Sequence, residues 1–174
     1  GYTILEPENG FLACGYQGQG RLCALEKIFD AAVQKLSQPQ TLKGKKIIIT
    51  AGGTIEDIDP VRYISNYSSG KMGTALADTA YSLGADVHLI TTVSAQKPYV
   101  VEKVKSALEM QKAIEKDFAD ADCVIMAAAV ADYRVKQPSE QKIKKTSDEE
   151  ITLTLVKNPD ILKHLCEIKT HQTI

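Results

Sequence analysis

Lys46-Ile-Ile-Ile-Thr50, running straight into Ala51-Gly52-Gly53-Thr54, is the stretch that decides the fold. Three consecutive isoleucines cannot alternate between a wet and a dry face. The strand is therefore expected to be covered on both sides, as strands of parallel sheets are. The glycine pair at its end marks a turn on the edge where open α/β sheets bind ligands. Downstream, a polar loop leads to Ser68-Ser69-Gly70, which can cap a helix carrying Met72, Ala75, Leu76, Ala80 and Leu83 on one stripe. Gly84 closes that helix. Val87 to Thr91 reads as a second strand and Tyr99 to Val104 as a short third. Ser106 and Glu109 form an S-x-x-E capping box ahead of a helix through Phe118. Cys123 to Ala129 is an apolar strand, and Ile151 to Val156 alternates as a half-exposed one. Asn158-Pro159 then offers a cap and a first-turn proline for a helix to Ile168. This alternation specifies the α/β class: a Rossmann-like, doubly wound, mostly parallel sheet with helices on both faces. Ile174 follows directly after a helix, where another parallel strand is due, so the sheet is expected to be C-terminally incomplete.

Upstream of the isoleucines the texture changes. Ser37 to Lys46 is polar, contains Pro39 and Gly44, and reads as a linker. Leu25 to Leu36 places Leu25, Ile28, Phe29, Ala32 and Leu36 on one helical face. Gly1 to Arg21, rich in Gly and Gln without a sustained period, reads as a long loop or flap.

Bulk properties exclude several classes. With 44% hydrophobic and 25% charged residues the chain has the composition of a soluble globular protein. A net charge of −1 makes no electrostatic case for nucleic acid or an anionic membrane. No apolar run approaches the ~20 residues of a membrane span. The first residues lack the basic start and apolar core of a signal peptide, and the chain opens on Gly1, so it reads as cut from something longer. Cys14, Cys23, Cys123 and Cys166 form neither a CxxC pair nor a zinc spacing. They read as reduced thiols of a cytoplasmic protein, with Cys123 a small core hydrophobe.

Three loops carry residues suited to chemistry. Gly52-Gly53-Thr54, with the segment from Arg62 to Gly73, supplies small residues whose N–H groups can close on an anion beside a helix N-terminus. A phosphate cradle and a plain tight turn both satisfy that pattern; the spacing is not that of a Walker A loop. Ala127-Ala128-Ala129-Val130-Ala131-Asp132-Tyr133 leaves room for a flat base or sugar. Asp132 can accept ribose hydroxyls or hold a divalent cation. Close packing of a helix on the sheet is the competing explanation. Lys142-Ile143-Lys144-Lys145 can neutralise a triphosphate or be a solvated surface. Gly15-x-x-Gly18-x-Gly20 has the reverse order of the dinucleotide fingerprint and follows no strand, which disfavours NAD.

The stretch Thr50-AGGT-IEDIDPVRYISNYSSGKMG-Thr74, with AAAVADYR from Ala127, QKIKK from Gln141 and LVKNPDIL from Leu155, resembles the phosphopantothenate–cysteine ligase domain, usually fused behind an FMN-dependent decarboxylase. The resemblance covers about Lys43 to the end. It implies residues 46–174 as the ligase domain, 37–45 as a linker and 1–36, with LACGYQGQGRL, as the decarboxylase's tail. It implies ligation of 4′-phosphopantothenate to L-cysteine through an acyl-cytidylate made from CTP with Mg²⁺. The implied catalytic residues are Asn66 for the acyl-cytidylate, Lys142 for the triphosphate and Arg62 for a substrate phosphate or the partner subunit. Asp132, also the tentative metal ligand, and the backbone of Met126, Ala127 and Ala128 would contact ribose and cytosine. Gly52, Gly53, Ser68, Ser69 and Gly70, with Asn158, Pro159, Asp160 and Ile161, would complete the CTP site. Cys14 matches the decarboxylase's proton-donating cysteine, although Tyr16 stands where that motif usually has an acid. FMN would be bound by the rest of that domain and not by this chain. A homodimer is implied, and the family's pattern runs on past Ile174. Two alternatives are a non-catalytic nucleotide-binding or dimerisation fragment and a flavin- or NAD(P)-binding oxidoreductase domain.

Overall fold

The computed structural model describes residues 4–37, 39–144 and 150–174, and the chain divides into two compact units, Gly1–Pro39 and Gln40–Ile174. In the first unit β1 (Glu8–Phe11) pairs antiparallel with β2 (Gln17–Arg21), followed by α1 (Leu25–Ser37). The flap expected over residues 1–21 is therefore corrected to a hairpin over residues 8–21. Its turn is closed by the Tyr16 carbonyl accepting from Leu12 N–H at 2.8 Å and the Leu12 carbonyl accepting from Gly15 N–H at 2.9 Å. The strands, Glu-Asn-Gly-Phe and Gln-Gly-Gln-Gly-Arg, supply no apolar alternation, so a period-2 reading does not find them. Helix α1 forms where its period says, yet Leu25, Phe29 and Leu36 of its stripe are exposed.

The second unit is built on a parallel sheet. In chain order its elements are β3 (Lys46–Ala51), β4 (Ile55–Asp59), β5 (Arg62–Ser65), α2 (Lys71–Ser82), β6 (Asp86–Thr91), β7 (Val100–Lys103), α3 (Ala107–Phe118), β8 (Cys123–Met126), β9 (Tyr133–Val135), β10 (Leu155–Lys157) and α4 (Ile161–Ile168). The sheet order is β7-β6-β3-β8, all parallel. Ile47, Ile49 and Ala51 pack with Ala77 and Ala80 of α2 and with Val87 and Leu89. Ile48 faces the other way, into a cluster with Ile90, Met110 and Ile114 of α3, Val124, and Leu165 of α4. Both faces of β3 are thus covered, which is why its isoleucines run uninterrupted. The sheet is doubly wound: the chain moves outward from β3 to β6 and β7, then returns to β8 on the other side. Thr173 makes a parallel bridge to Cys123, with its carbonyl accepting from Val124 N–H at 2.8 Å, so the last residues lie along the outer edge of β8.

Several expectations change in detail. Residues 55–65 form an antiparallel hairpin, β4 with β5, rather than a loop. The buried face of α2 is Gly73, Ala77 and Ala80; Met72 is 67% exposed. A Cβ on Gly73 would stand 2.5 Å from the Thr50 carbonyl oxygen, so helix and strand meet at backbone distance there. Gly70, in the left-handed region, is the cap residue of α2, and no side chain caps the helix. Ser106 does accept from Glu109 N–H at 3.2 Å, as its box requires, although the Glu109 carboxylate turns to Lys105 N–H. Strand β8 stops at Met126 instead of Ala129, and β10 begins at Leu155 instead of Ile151. Helix α4 is capped by Asp160, whose Oδ1 accepts from Lys163 N–H at 2.9 Å, so Asn158 is released from that duty. Among the described residues no helix is long and apolar enough to cross a membrane.

Candidate functional site

The winding direction reverses between β3 and β8, and a crevice is expected beyond the carboxyl ends of those strands. On the β3 side Gly52 turns at φ 88°, and a Cβ there would lie 2.1 Å from Thr92 Oγ1. On the β8 side the chain leaves the ladder after Met126 and is caught by two buried threonines. Thr50 Oγ1 accepts from Ala128 N–H at 3.1 Å, and Thr54 Oγ1 accepts from Ala131 N–H at 2.9 Å. Ala129 exchanges backbone bonds with the turn: its N–H donates to the Gly52 carbonyl at 2.8 Å and its carbonyl accepts from Thr54 N–H at 3.2 Å. The alanine run is therefore bonded to the glycine turn through Ala129, while Ala128 and Ala131 line open space.

Asn158 closes the opposite wall. Its N–H donates to the Asp132 carbonyl at 2.8 Å, and its Nδ2 donates to the Ala131 carbonyl at 2.8 Å. Arg134 Nη1 donates to Asn158 Oδ1 at 3.2 Å and to the Lys157 carbonyl at 2.6 Å. These bonds strap the end of β10 to the β8–β9 loop. They leave a cleft of about 680 Å³ lined by Met126, Ala128, Val130, Ala131, Asp132, Tyr133 and residues 157–162. That volume suits a small-molecule ligand. Asp132 is exposed in it, Lys157 supplies a cation, and the N-terminus of α4 opens on the same space.

The expected site residues do not all gather here. Met126, Ala128, Asp132, Asn158, Pro159, Asp160 and Ile161 line the cleft; Ala127 does not. Asn66 is joined to it, since its Nδ2 donates to the Val130 carbonyl at 3.1 Å. Gly52, Gly53, Ser68 and Gly70 lie outside the lining. Ser69 borders a separate depression beside Lys71, Asp78 and Lys97. Lys142 is exposed on the loop after β9 and is not a lining residue, and Lys145 lies outside the described residues. Arg62 is held by Asp59: its Nε and Nη2 donate to Asp59 Oδ2 at 2.9 and 2.6 Å. Burial works to raise the Asp59 carboxyl, but bonds from Val61 N–H, Arg62 and Ile143 N–H outweigh it and hold the pKa at about 2. Burial, helped by Asp122, raises the Cys123 thiol, in keeping with a core role. Cys14 is exposed at the β1–β2 turn, in the first unit. Among the described residues no three His, Cys, Asp or Glu side chains cluster in a way that could hold a metal by themselves. The lining residues outside the expected site list are Val130, Ala131, Tyr133, Lys157 and Leu162, and Arg134 joins them through its bond to Asn158. A basic residue just before Asn158, at a strand end facing the cleft, was the available signal for Lys157.

Comparison with known proteins identifies the family and supports the fold. The family model described as DNA/pantothenate metabolism flavoprotein C-terminal domain matches residues 42–174. The coenzyme A biosynthesis bifunctional protein CoaBC of Haemophilus influenzae is 47% identical over 175 residues, covering 99% of this chain and 44% of that protein. The protein of that name in Bacillus subtilis is 44% identical over 180 residues, covering 100% of this chain and 44% of its own length. The chain thus spans less than half the length of these curated relatives. A crystal structure of the C-terminal domain of a CoaBC protein superposes with a TM-score of 0.63 at 42% identity, covering 75% of this chain and 62% of that one. On a family match over most of its length and relatives this similar, this chain belongs to the DNA/pantothenate metabolism flavoprotein C-terminal domain family.

Proposed function

We propose that the Gln40–Ile174 unit binds CTP and works in joining 4′-phosphopantothenate to L-cysteine during coenzyme A biosynthesis. The observation that carries this reading is the cleft, in which a carboxylate, a lysine and a helix N-terminus surround a floor of small residues at the strand-order reversal. The backbone of Met126, Ala127 and Ala128 would lie against cytosine, and Asp132 would accept the ribose hydroxyls. Asn158 to Ile161 would bring the α4 N-terminus to a phosphate. Gly52, Gly53 and Ser68 to Gly70 would cradle another part of the substrate anion.

In the first half-reaction a carboxylate oxygen of phosphopantothenate attacks the α-phosphorus of CTP, and the bond to pyrophosphate breaks. In the second the cysteine amine attacks the acyl carbon, loses a proton, and CMP leaves. Asn66, tied to the cleft wall, would orient the acyl-cytidylate, and Lys142 would offset triphosphate charge. Asp132, an exposed carboxylate on the cleft, fits Mg²⁺, which takes most of its ligands from phosphates and water. Bound there, that ion would neutralise charge on the phosphates.

Residues 1–36 would be the end of an FMN-dependent decarboxylase module, with Cys14 its proton donor and FMN held elsewhere in the longer protein. The row of exposed apolar side chains on α1 supports a fused neighbour. A cytoplasmic homodimer completes the reading. An oxidoreductase is not favoured, because the glycines of residues 15–20 lie on a hairpin and not at a strand-to-helix turn.

Calorimetric titration with CTP and Mg²⁺, using ATP as competitor, tests the proposal. CTP-selective binding, weakened about tenfold or more by Asp132→Ala, is the expected outcome. Equal binding of ATP, or none of CTP, would sink it.

A further inference from the structure

The ion pair of Asp59 and Arg62 does more than close the β4–β5 turn. Asp59 is 2% exposed, and its Oδ1 accepts the N–H groups of Val61 and Arg62, both at 2.9 Å. Those two bonds alone would make the turn, and a neutral asparagine could supply them. The second oxygen looks elsewhere. Oδ2 binds the Arg62 guanidinium and also accepts Ile143 N–H at 3.1 Å, while Arg62 Nη2 donates to the Ile143 carbonyl at 2.7 Å. Both main-chain groups of one residue, more than eighty positions along the chain, are held by a single ion pair. Burying a carboxylate is costly, and an ion pair seldom repays that cost through stability alone.

The residue so held is the one between Lys142 and Lys144, both exposed. Upstream, Ser139 N–H donates to the Ile58 carbonyl at 2.9 Å, so the segment is fastened to the hairpin at two points. The other end of the same hairpin is fixed to the cleft. Ser65 Oγ donates to the Thr54 carbonyl at 2.7 Å, and Asn66, the next residue, reaches the Val130 carbonyl. The hairpin is therefore one continuous piece between the cleft wall and the lysine segment.

We infer that Asp59 and Arg62 are positioning residues, which clasp residues 139–144 to the hairpin and so set where Lys142 stands relative to Asn66 and the cleft. The ligand that the lysine meets rests on the ligase reading above; the clasp itself does not. Arg62 then acts through Ile143 and not on a substrate.

Limited trypsin digestion and CTP titration, run on this chain with Asp59→Asn, Arg62→Lys and Lys142→Ala, test the inference. Asp59→Asn is expected to speed cutting after Lys142 and Lys144 about tenfold or more, with cutting after Lys112 of α3 unchanged. Arg62→Lys keeps the charge but loses the fork, and should fall between the two. CTP binding should weaken in Asp59→Asn as it does in Lys142→Ala. The double variant should bind no worse than either single one, because both remove the same contribution. Unchanged cutting in both clasp variants overturns the clasp. Faster cutting with undiminished CTP affinity overturns the positioning role. Should Asp59→Asn also speed cutting after Lys112, the milder Arg62→Lys decides between the same outcomes. Failure of the unaltered chain to bind CTP overturns the ligase reading and with it the role of Lys142, while the cutting rates still decide the clasp.

Discussion

In the Gln40–Ile174 unit, Ile49, Leu89, Ile90 and Ile114 are 0% exposed, shut between helices and both faces of a parallel sheet. In the Gly1–Pro39 unit, Leu25, Phe29 and Leu36 are 73, 68 and 88% exposed along one side of α1. Both sets lie on elements with a clear apolar pattern, so the pattern reports which face wants cover and not what covers it. Where sheet and helices come from the same unit, the demand is met; where the unit offers only a two-stranded hairpin, it is not. Cys23 is the buried apolar side chain among the described residues of the first unit, too little for a core.

Core truncation should separate the two units most sharply. Ile114→Ala should lower the stability of the second unit by about 3 kcal/mol in chemical denaturation. Phe29→Ala should stay within about 0.5 kcal/mol. Comparable losses would mean that α1 is covered after all. A smaller contrast comes from added bulk. Gly73→Ala, aimed at the Thr50 carbonyl 2.5 Å away, should cost about 2 kcal/mol. Gly18→Ala in the hairpin, whose nearest neighbour is Leu12 Cδ1 at 3.8 Å, should change the melting temperature hardly at all.

Acid offers a third contrast. Asp59 falls from an ordinary value of 3.8 to about 2 on folding, and Asp122 is also lowered, chiefly by its hydrogen bond from Lys45. A depressed acid stabilises the fold above its unfolded pKa and stops doing so as pH falls through its folded one. The second unit should therefore hold steady above about pH 5 and weaken between roughly pH 4 and 2. Asp59→Asn should flatten part of that decline, and an identical acid profile would show that Asp59 does not contribute. The smallest effect belongs to Lys27→Ala. It removes an exposed pair with Glu8 at 2.6 Å, and the melting temperature should not move measurably.

The parts of the fold legible beforehand are those with local causes. KIIIT needs two covered faces, S-x-x-E needs a helix start, and Gly84 at φ 93° ends α2 where its period ends. The β4–β5 hairpin was not legible, because IEDIDPVRYIS reads as a polar stretch. Asp59 closes its turn by accepting from Val61 and Arg62 N–H, and its second oxygen accepts from Ile143 N–H, far along the chain. The inward face of α2 was misread for a related reason. Met72 and Leu76 are the larger apolar residues, but contact at backbone distance selects Gly73, Ala77 and Ala80. At the candidate site, Asp132 and the 158–161 segment stood out as residue types. The work of Asn158 as a strap did not, since its partners Ala131 and Arg134 come from the β8–β9 loop and from β9, over twenty residues earlier.

The amino-acid sequence by itself determined the α/β class, the strands of the parallel sheet with the helices between them, and the family, because period, caps and contiguous motifs act over a few residues. Only the tertiary structure decided which loops meet. The parallel sheet brings the ends of β3 and β8 side by side, and the Asp59–Arg62 pair ties the lysine segment to the hairpin that carries Asn66. Such meetings depend on hydrogen bonds to main-chain groups far apart along the chain, and every residue carries those groups alike.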